Sequence, residues 1–252
     1  MTPRLHARRT GQGPRLVLVH GFTQNARCWG PLPALLAGHH EVLAVDAPGH
    51  GSSSGLALGL WDAAAALGGT GGAATYVGYS MGGRLCLHLA LARPELVRAL
   101  VLISTSPGIE DPHQRARRRA EDLALAERLE AVGVAAFIDE WLATPLFATL
   151  PRASAARDER LANTPTGLAS SLRLAGTGVQ EPLWSRLAEL RMPVLVVAGE
   201  RDPAYTAVAR RTVAAIGADA TLEVVAGAGH AVPLEQPETL AERILAWLAT
   251  LR

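Results

Sequence analysis

The alternation of strand and helix signals constrains the fold of this chain more than any other feature. Apolar runs predict buried strands at six places, residues 15–20, 41–46, 74–79, 97–103, 193–199 and 221–226. Runs of this kind are typical of strands buried on both faces. Helices are predicted over residues 30–37, 81–92, 204–216 and 237–251. We therefore predict an α/β fold with a mostly parallel sheet between two helical layers, and an antiparallel edge strand near residues 5–9.

One long segment interrupts this alternation. Residues 107–190 contain no buried-strand signal, and their pattern predicts helices over 112–132, 134–143, 153–161 and 166–174. An all-helical insertion before the last two strands predicts a cap over the C-terminal sheet edge, where open α/β sheets bind ligands. The expected domains are a core of residues 1–106 and 191–252 and a cap of residues 107–190. A weak helix is expected over 61–67, and glycine-rich residues 68–72 are expected to form a flexible turn.

Composition excludes several classes of function. Of the 252 residues 49% are hydrophobic, but no apolar run reaches the roughly 18 residues of a membrane span. The formal charge of +1 argues against nucleic-acid binding. The first 15 residues carry four arginines and no apolar stretch, so we expect no secretory signal and a cytoplasmic protein. We expect a monomer or a weak oligomer.

The residue inventory also limits the cofactors. Cys28 and Cys86 are too few for a disulfide framework or a structural zinc site. The adjacent His39 and His40 have no further ligand nearby in the sequence, so no metal site is expected. All 24 basic residues are arginine, which excludes Schiff-base chemistry, including pyridoxal-phosphate catalysis. No metal or organic cofactor is expected.

The strongest chemical signal surrounds Ser80. The sequence Gly-Tyr-Ser-Met-Gly at residues 78–82 matches G-x-S-x-G between a predicted strand and a predicted helix. In that context a tight turn projects the serine hydroxyl above the sheet as a nucleophile. The backbone N–H of Met81 would lie at a helix start, where donors are free and negative charge is favoured. A glycine-rich turn with a serine helix cap is the structural alternative.

A base and an acid follow in the order typical of this turn. His230 lies in a loop between the last predicted strand and the last helix, at the same sheet edge as Ser80. Asp202 follows the preceding strand and is the candidate to orient His230, with Glu200 as the alternative. A cap of the helix that starts beside it is the structural alternative for Asp202. The Phe22 N–H is the candidate second oxyanion donor, while His20 and His50 are expected to be structural.

Arginine placement narrows the substrate class. Arg84 lies one helical turn after Ser80. Helical spacing lets only one or two of Arg115, Arg117, Arg118 and Arg119 face a cleft between cap and core, and Arg160 is a further cap candidate. Because guanidinium pairs with carboxylate in a bidentate way, several arginines over a serine suit a substrate with several carboxylates. Exposed charged faces are the structural alternative.

Together these motifs resemble the α/β-hydrolase superfamily and, within it, the 2-succinyl-6-hydroxy-2,4-cyclohexadiene-1-carboxylate synthases of menaquinone biosynthesis. The matching stretches are residues 19–22, 78–84, 114–118, 141–147, 199–202 and 227–230. The resemblance implies catalytic Ser80, Asp202 and His230. It also implies that Tyr79, Arg84, Arg118, Arg160 and Trp141 bind substrate.

The activity that this resemblance implies is an elimination. The substrate of these synthases, 2-succinyl-5-enolpyruvyl-6-hydroxy-3-cyclohexene-1-carboxylate, is a small polycarboxylate that loses pyruvate, so a carbon–oxygen lyase is expected. Two alternatives remain open. A serine hydrolase, either a carboxylesterase or a carbon–carbon bond hydrolase, would use the same three residues, and a non-catalytic hydrolase-like binding protein would retain the fold.

Overall fold

The computed structural model describes residues 3–251 of the chain, so residues 1, 2 and 252, assigned above to the core, lie outside the described residues. Seven strands form one sheet in the order β1-β3-β2-β4-β5-β6-β7. They are β1 Ala7–Thr10, β2 Arg15–Val19, β3 Glu41–Val45, β4 Ala74–Tyr79, β5 Val97–Ile103, β6 Val194–Gly199 and β7 Ala220–Val225. Only β1 pairs antiparallel, with β3, and the others pair parallel. The predicted α/β fold with a mostly parallel sheet is confirmed.

Helices cover both faces of this sheet because each presents an apolar side to it. They are α1 Leu32–Ala37, α2 Leu60–Gly71, α3 Met81–Ala92, α7 Pro203–Ile216, α8 Val232–Glu235 and α9 Pro237–Ala249. One buried cluster joins residues of α2, α3 and α7 to one face, and a second joins α1, α8 and α9 to the other. The core therefore consists of two apolar layers on either side of the sheet.

Strand register brings the candidate site residues to one edge. Val19 at the end of β2 lies beside Gly78 of β4, and Tyr79 lies beside Ile103 at the end of β5. Gly199, the last residue of β6, pairs with Val225, the last residue of β7. Because parallel strands end at the same edge, the loops that follow them meet there.

The cap predicted before the last two strands lies between β5 and β6. Its helices are α4 Pro112–Leu142, α5 Arg157–Arg160 and α6 Pro165–Ala175, with short 3-10 turns at Pro145–Phe147, Arg152–Ser154 and Trp184–Glu189. Gly133 interrupts α4 with φ 77° and ψ 172°, a backbone conformation open almost only to glycine. It separates two arms that match the helices predicted over 112–132 and 134–143. An apolar cluster that includes Leu129, Phe137 and Leu168 joins α4 to α6.

The predicted antiparallel edge strand is present as β1, with bounds Ala7–Thr10. Two local expectations were wrong. Helix α2 continues to Gly71, so most of the glycine-rich patch is helical, because its small residues let α2 pack closely on α3 and the sheet. The helix predicted over 153–161 is instead a 3-10 turn followed by α5, since Ala156 has a left-handed backbone with φ 51°.

The sequence predicts no segment long and apolar enough to span a membrane. No helix within residues 3–251 is both long enough and apolar enough to cross a membrane.

Candidate active site

Ser80 occupies a strained turn between β4 and α3. Its backbone has φ 51° and ψ −110°, which is rare for a residue with a side chain. The turn is held on both sides, because the Ser80 N–H donates to the Ile103 carbonyl at 2.8 Å and the Thr105 hydroxyl donates to the Ser80 carbonyl at 2.7 Å. A Cβ at Gly82 would collide with the Val19 carbonyl oxygen, so glycine is required for α3 to start this close to β2.

His230 connects Ser80 to a carboxylate. Its Nε2 lies 3.2 Å from the Ser80 Oγ, and its Nδ1 lies 2.9 Å from Asp202 Oδ2. Since a carboxylate only accepts, the Nδ1–H donates to Asp202 and leaves Nε2 as the acceptor for the serine hydroxyl. The His230 side chain is only 2% exposed and that of Asp202 11%. The structure thus brings together the serine, base and acid candidates.

Asp202 combines the two roles that the sequence left open. Its Oδ1 accepts the Tyr205 N–H at 3.1 Å and caps α7, while its Oδ2 holds His230. Burial raises the pKa of the Asp202 carboxyl, but the hydrogen bonds from His230 and the Tyr205 N–H outweigh burial, and the pKa is lowered overall. The alternative acid, Glu200, is exposed and accepts the Gly227 N–H at 2.9 Å.

Glu235 holds the loop that carries His230, a contact that sequence reasoning missed. One carboxylate oxygen accepts the Gly229 N–H and the other accepts the Ala231 N–H, each at 2.9 Å. The two residues that flank His230 are therefore held through their N–H groups by one side chain. The position of Glu235, five residues after a loop histidine, was the available signal.

The backbone N–H groups of Phe22 and Met81 are the candidate donors to an oxyanion. Within residues 3–251, neither the Phe22 N–H nor the Met81 N–H has a hydrogen-bond acceptor. Met81 is the first residue of α3, where helical geometry leaves N–H groups unused. The loop before Phe22 is fixed by Gln24, whose Oε1 accepts the Gly21 N–H at 2.9 Å.

The two histidines expected to be structural lie under this loop. His20 Nδ1 donates to the Gly21 carbonyl at 2.8 Å, and its Nε2 accepts the Ala47 N–H at 3.0 Å. Burial lowers the pKa of His20 to about 4 and that of His50 to about 3, so both rings are neutral at pH 7. The two rings are 5.0 Å apart in an edge-to-face arrangement.

A cavity of about 400 Å³ lies between the sheet edge and the cap. Its lining residues from the core side include Phe22, Ser80, Met81, Arg84, Thr105 and Tyr205, and those from the cap include Arg118, Leu125, Trp141, Leu146 and Leu172. A second, much smaller cavity of about 20 Å³ adjoins Ser80 and His230 and is lined by Tyr79, Trp141, Phe147 and Arg160 among others. Ser80 therefore faces an enclosed space with both charged and apolar walls.

Arg84 lines the larger cavity and is almost fully buried, with 7% exposure. Its Nη1 donates to the Ala175 carbonyl at 2.8 Å and to Gln180 Oε1 at 3.4 Å. Burial lowers the pKa of Arg84 to about 10, so the side chain is still a cation at neutral pH. Within the described chain no carboxylate pairs with it.

The run of arginines in α4 has one member in the cavity wall. Arg118 lines the cavity and its Nε donates to Asp122 Oδ1 at 2.8 Å. Arg117 and Arg119 are exposed, and Arg115 donates to the Ile109 and Glu110 carbonyls. Helical geometry thus turns a single guanidinium of the run toward Ser80.

Arg160 lies apart from the larger cavity. It is 1% exposed, donates through Nε to the Ala155 carbonyl at 2.9 Å and through Nη1 to the Thr23 hydroxyl. It lines only the small cavity, with Tyr79. Burial raises the pKa of Tyr79 well above its usual value, although the Arg160 charge acts in the opposite direction.

Aromatic rings close the site around the serine and histidine. Trp141 lines both cavities and its ring lies 5.4 Å from that of Phe22. The Tyr205 ring lies 4.5 Å from the His230 ring and lines the larger cavity. Sequence reasoning missed Tyr205, because only its position three residues after Asp202, in the first turn of α7, marks it.

Metal binding has no support in the geometry of the described residues. No three His, Cys, Asp or Glu side chains within residues 3–251 cluster in a way that could hold a metal ion.

Comparison with known proteins assigns this chain to one family. Residues 16–243 match the model of the alpha/beta hydrolase family. The chain therefore belongs to the alpha/beta hydrolase family, and the expectation of an enzyme with this fold is confirmed.

Several named members of the family are similar to this chain along most of its length. A putative 2-succinyl-6-hydroxy-2,4-cyclohexadiene-1-carboxylate synthase of Bacillus subtilis (strain 168) is 34% identical, over 94% of this chain and 90% of the relative. The solved structure of MenH from S. aureus has a TM-score of 0.86 and 28% identity, and covers 97% of this chain and 98% of that one. These matches confirm the resemblance to the synthases. A pimeloyl-[acyl-carrier protein] methyl ester esterase of Xanthomonas campestris pv. campestris (strain B100) is 33% identical, over 98% of this chain and all of the relative.

Proposed function

We propose that this protein is a 2-succinyl-6-hydroxy-2,4-cyclohexadiene-1-carboxylate synthase, a carbon–oxygen lyase of menaquinone biosynthesis. The observation that carries the proposal is one cavity that contains both a histidine-bonded serine and two guanidinia, Arg84 and Arg118. Guanidinia in the wall suit a substrate with several carboxylates, whereas a pocket for apolar esters has no need of them. The similarity to the Bacillus subtilis synthase supports the same reaction.

The names of substrate and product define the bonds that change. The ring proton at C2 is acidic because C2 bears the succinyl ketone. When it leaves, a C2–C3 double bond forms, the C3–C4 double bond moves to C4–C5, and the C5–O bond to the enolpyruvyl group breaks. The departing enolate of pyruvate takes up one proton, so no water and no redox partner are consumed.

The proton moves between Ser80 and His230, while Asp202 orients the histidine. His230 Nε2 takes the hydroxyl proton of Ser80, and the serine oxygen removes the C2 proton of the ring. The imidazolium of His230 then protonates the pyruvate enolate. Asp202 holds the Nδ1–H, so the tautomer with a basic Nε2 is maintained and the imidazolium is stabilised.

The negative charge that develops on the ketone oxygen needs donors. The N–H groups of Phe22 and Met81 have no other acceptor among the described residues, and both residues line the cavity together with Ser80. A preorganised donor of this kind stabilises a transition state by about 2.7–4 kcal/mol. We assign both N–H groups to the enolate oxygen.

Carboxylate binding is shared between two parts of the chain. We propose that residues 107–190 act as a cap unit that contributes Arg118 and Trp141, while the core contributes Arg84 to the same cavity. Arg160 and Tyr79 form part of the wall of the small cavity beside His230. Location in the cytoplasm and a monomeric or weakly oligomeric state stay predictions.

The experiment that tests this function is a pyruvate-release assay. Purified protein is supplied with 2-succinyl-5-enolpyruvyl-6-hydroxy-3-cyclohexene-1-carboxylate, and pyruvate is followed through a lactate dehydrogenase coupling. We expect enzyme-dependent release with slow turnover of p-nitrophenyl esters. Fast ester turnover without pyruvate release would contradict the proposal.

An esterase is the second candidate, because a histidine-bonded serine beside two free N–H groups also suits acyl transfer. The Xanthomonas campestris relative, which matches nearly the whole chain, carries an esterase name. A panel of methyl esters, with and without a terminal carboxylate, separates the two functions. Ester hydrolysis that exceeds pyruvate release under equal conditions would favour the esterase.

A further inference from the structure

Tyr205 joins three parts of the site through three different atoms or groups. Its backbone N–H donates to Asp202 Oδ1, and its ring packs edge-on against His230 at 4.5 Å. Its side chain also lines the 400 Å³ cavity. Within residues 3–251 the Tyr205 hydroxyl has no hydrogen-bond partner. A buried or half-buried tyrosine hydroxyl usually finds a partner, so this one is available to a ligand.

The arginines in the same cavity also have unused donors. Arg84 employs only Nη1 in bonds within the described chain, which leaves its Nε and Nη2 free. Arg118 employs only Nε, in its ion pair with Asp122, so both of its Nη atoms are free. The cavity wall therefore contains several N–H donors, together with the Tyr205 O–H, that have no acceptor within the described residues.

Asp122 pairs with Arg118, but the carboxylates in the cavity wall leave Arg84 without an ion pair within the described residues. Asp122 accepts from Arg118 Nε and also from the Gly178 N–H at 2.9 Å, so both of its oxygens are occupied. Glu121 lines the cavity but is exposed, and within the described chain it makes no ion pair with either arginine. The cation of Arg84 has no protein carboxylate, so an anionic ligand group would supply the missing partner.

We propose that the Tyr205 hydroxyl acts with the guanidinia of Arg84 and Arg118 as a donor to one carboxylate of the bound substrate. Tyr205 is then a substrate-binding residue that selects for acidic ligands. The inference rests on the proposed function only for the identity of the substrate, because the three donors would hold a carboxylate of any ligand that fills the cavity.

The electrostatics around the phenol agree with a donor role. Burial raises the pKa of Tyr205 above its usual value, although the charges of Arg118 and Arg84 act in the opposite direction. The hydroxyl is therefore protonated at neutral pH and donates to a carboxylate, while the two cations lie near enough to influence it. Hydrogen bonds in which one partner is ionised are about twice as strong as neutral ones.

Removal of the hydroxyl alone tests this assignment. The variant Tyr205→Phe keeps the ring that packs on His230 and the backbone N–H that binds Asp202. We would measure the dissociation constant of tricarballylate, a compact tricarboxylate, by isothermal titration calorimetry. We expect the wild type to bind and Tyr205→Phe to bind about tenfold more weakly, equivalent to ~1.4 kcal/mol. In the pyruvate assay KM should rise by a similar factor, with kcat within about twofold.

The matched control is Tyr76→Phe, the same chemical change outside the cavity. The Tyr76 hydroxyl donates to the Gly72 carbonyl, so this variant should melt at a lower temperature but bind tricarballylate like the wild type. Equal affinity of Tyr205→Phe and wild type, or no binding by the wild type, would overturn the proposal. If Tyr205→Phe weakens binding but no pyruvate is released, the carboxylate site stands and the lyase function fails.

Discussion

The core side and the cap side of the cavity are held in place by different interactions. On the core side Ser80, His230 and Asp202 form one chain of hydrogen bonds. Backbone hydrogen bonds further fix Ser80 and Asp202, and Glu235 holds the residues on either side of His230. On the cap side Arg118 is held by one ion pair to Asp122, and Trp141 by ring contacts. The core side therefore positions reacting atoms closely, while the cap side holds charge and apolar surface with fewer constraints.

This difference suits the two tasks of the site. Proton transfer requires donor and acceptor within hydrogen-bond reach, so small displacements are costly. Carboxylate binding by guanidinia tolerates more variation, because a long side chain with several donors can adjust. Substitutions on the core side should therefore reduce kcat, and those on the cap side or at the arginines should mainly affect KM.

The largest effect is expected for Ser80→Ala. Loss of the hydroxyl breaks the proton path to His230, and we expect turnover to fall by about 10⁴-fold or more. The melting temperature should stay close to the wild-type value, because within residues 3–251 the Ser80 hydroxyl makes no hydrogen bond apart from the one with His230. The measurement is kcat for pyruvate release, with circular dichroism as the folding check. An active-site serine reagent should label the wild type but not the variant, and substantial residual turnover would contradict the role of Ser80.

The next largest effect is expected for Arg84, and Arg160 provides a direct contrast. Arg84→Ala should lower kcat/KM by about tenfold to a hundredfold, since a charge-assisted contact to substrate is lost. Arg160→Ala should act mainly on stability, because the Thr23 hydroxyl and the Ala155 carbonyl lose their buried donor, at a cost of about 1–3 kcal/mol. Urea unfolding and steady-state kinetics on both variants separate the two effects. Wild-type kinetics in Arg84→Ala would show that the carboxylate argument is wrong.

Sequence reasoning succeeded where the signal was local. The strand before Ser80, the turn and the helix after it are contiguous in sequence, and β4 and α3 have the expected bounds. The interruption of α4 at Gly133 was predictable for the same reason. The expectation that Ser80, Asp202 and His230 meet relied on the common edge of parallel strands, and the structure places them within hydrogen-bond distance.

What sequence reasoning missed depends on tertiary contacts. Glu235 matters because its carboxylate accepts two N–H groups of the His230 loop, and its place five residues after a histidine does not by itself reveal those hydrogen bonds. Tyr205 is similar, since it shares a cavity with Arg84 and Arg118 only in the folded chain. Helix α2 extends through its glycines because packing against α3 outweighs their weak helix propensity.

Glu235→Gln tests how firmly the core side must hold His230. The amide keeps one acceptor oxygen but turns an NH₂ group toward the second N–H, so one of the two loop contacts is lost. We expect kcat to fall by about tenfold with KM nearly unchanged, because the substrate donors are elsewhere. Glu238→Gln, an exposed carboxylate in the next helix, is the matched control and should behave like the wild type. A rise in KM without loss of kcat would mean that Glu235 supports substrate binding and does not position His230 for catalysis.

The smallest expected effect is a pH dependence of stability at Asp202. Its folded-state pKa is lowered below the usual value of an aspartate, because hydrogen bonds to the carboxylate outweigh burial. A lowered pKa gives stabilisation that is complete above the unfolded-state value and is lost as the pH falls through the folded-state pKa. The free energy of unfolding of the wild type should therefore exceed that of Asp202→Asn by ~1 kcal/mol at pH 6, and the difference should vanish at the acid end. Denaturant unfolding at a series of pH values measures this, and a difference that stays constant down to pH 2 would mean that the carboxylate charge contributes nothing to the folded core side.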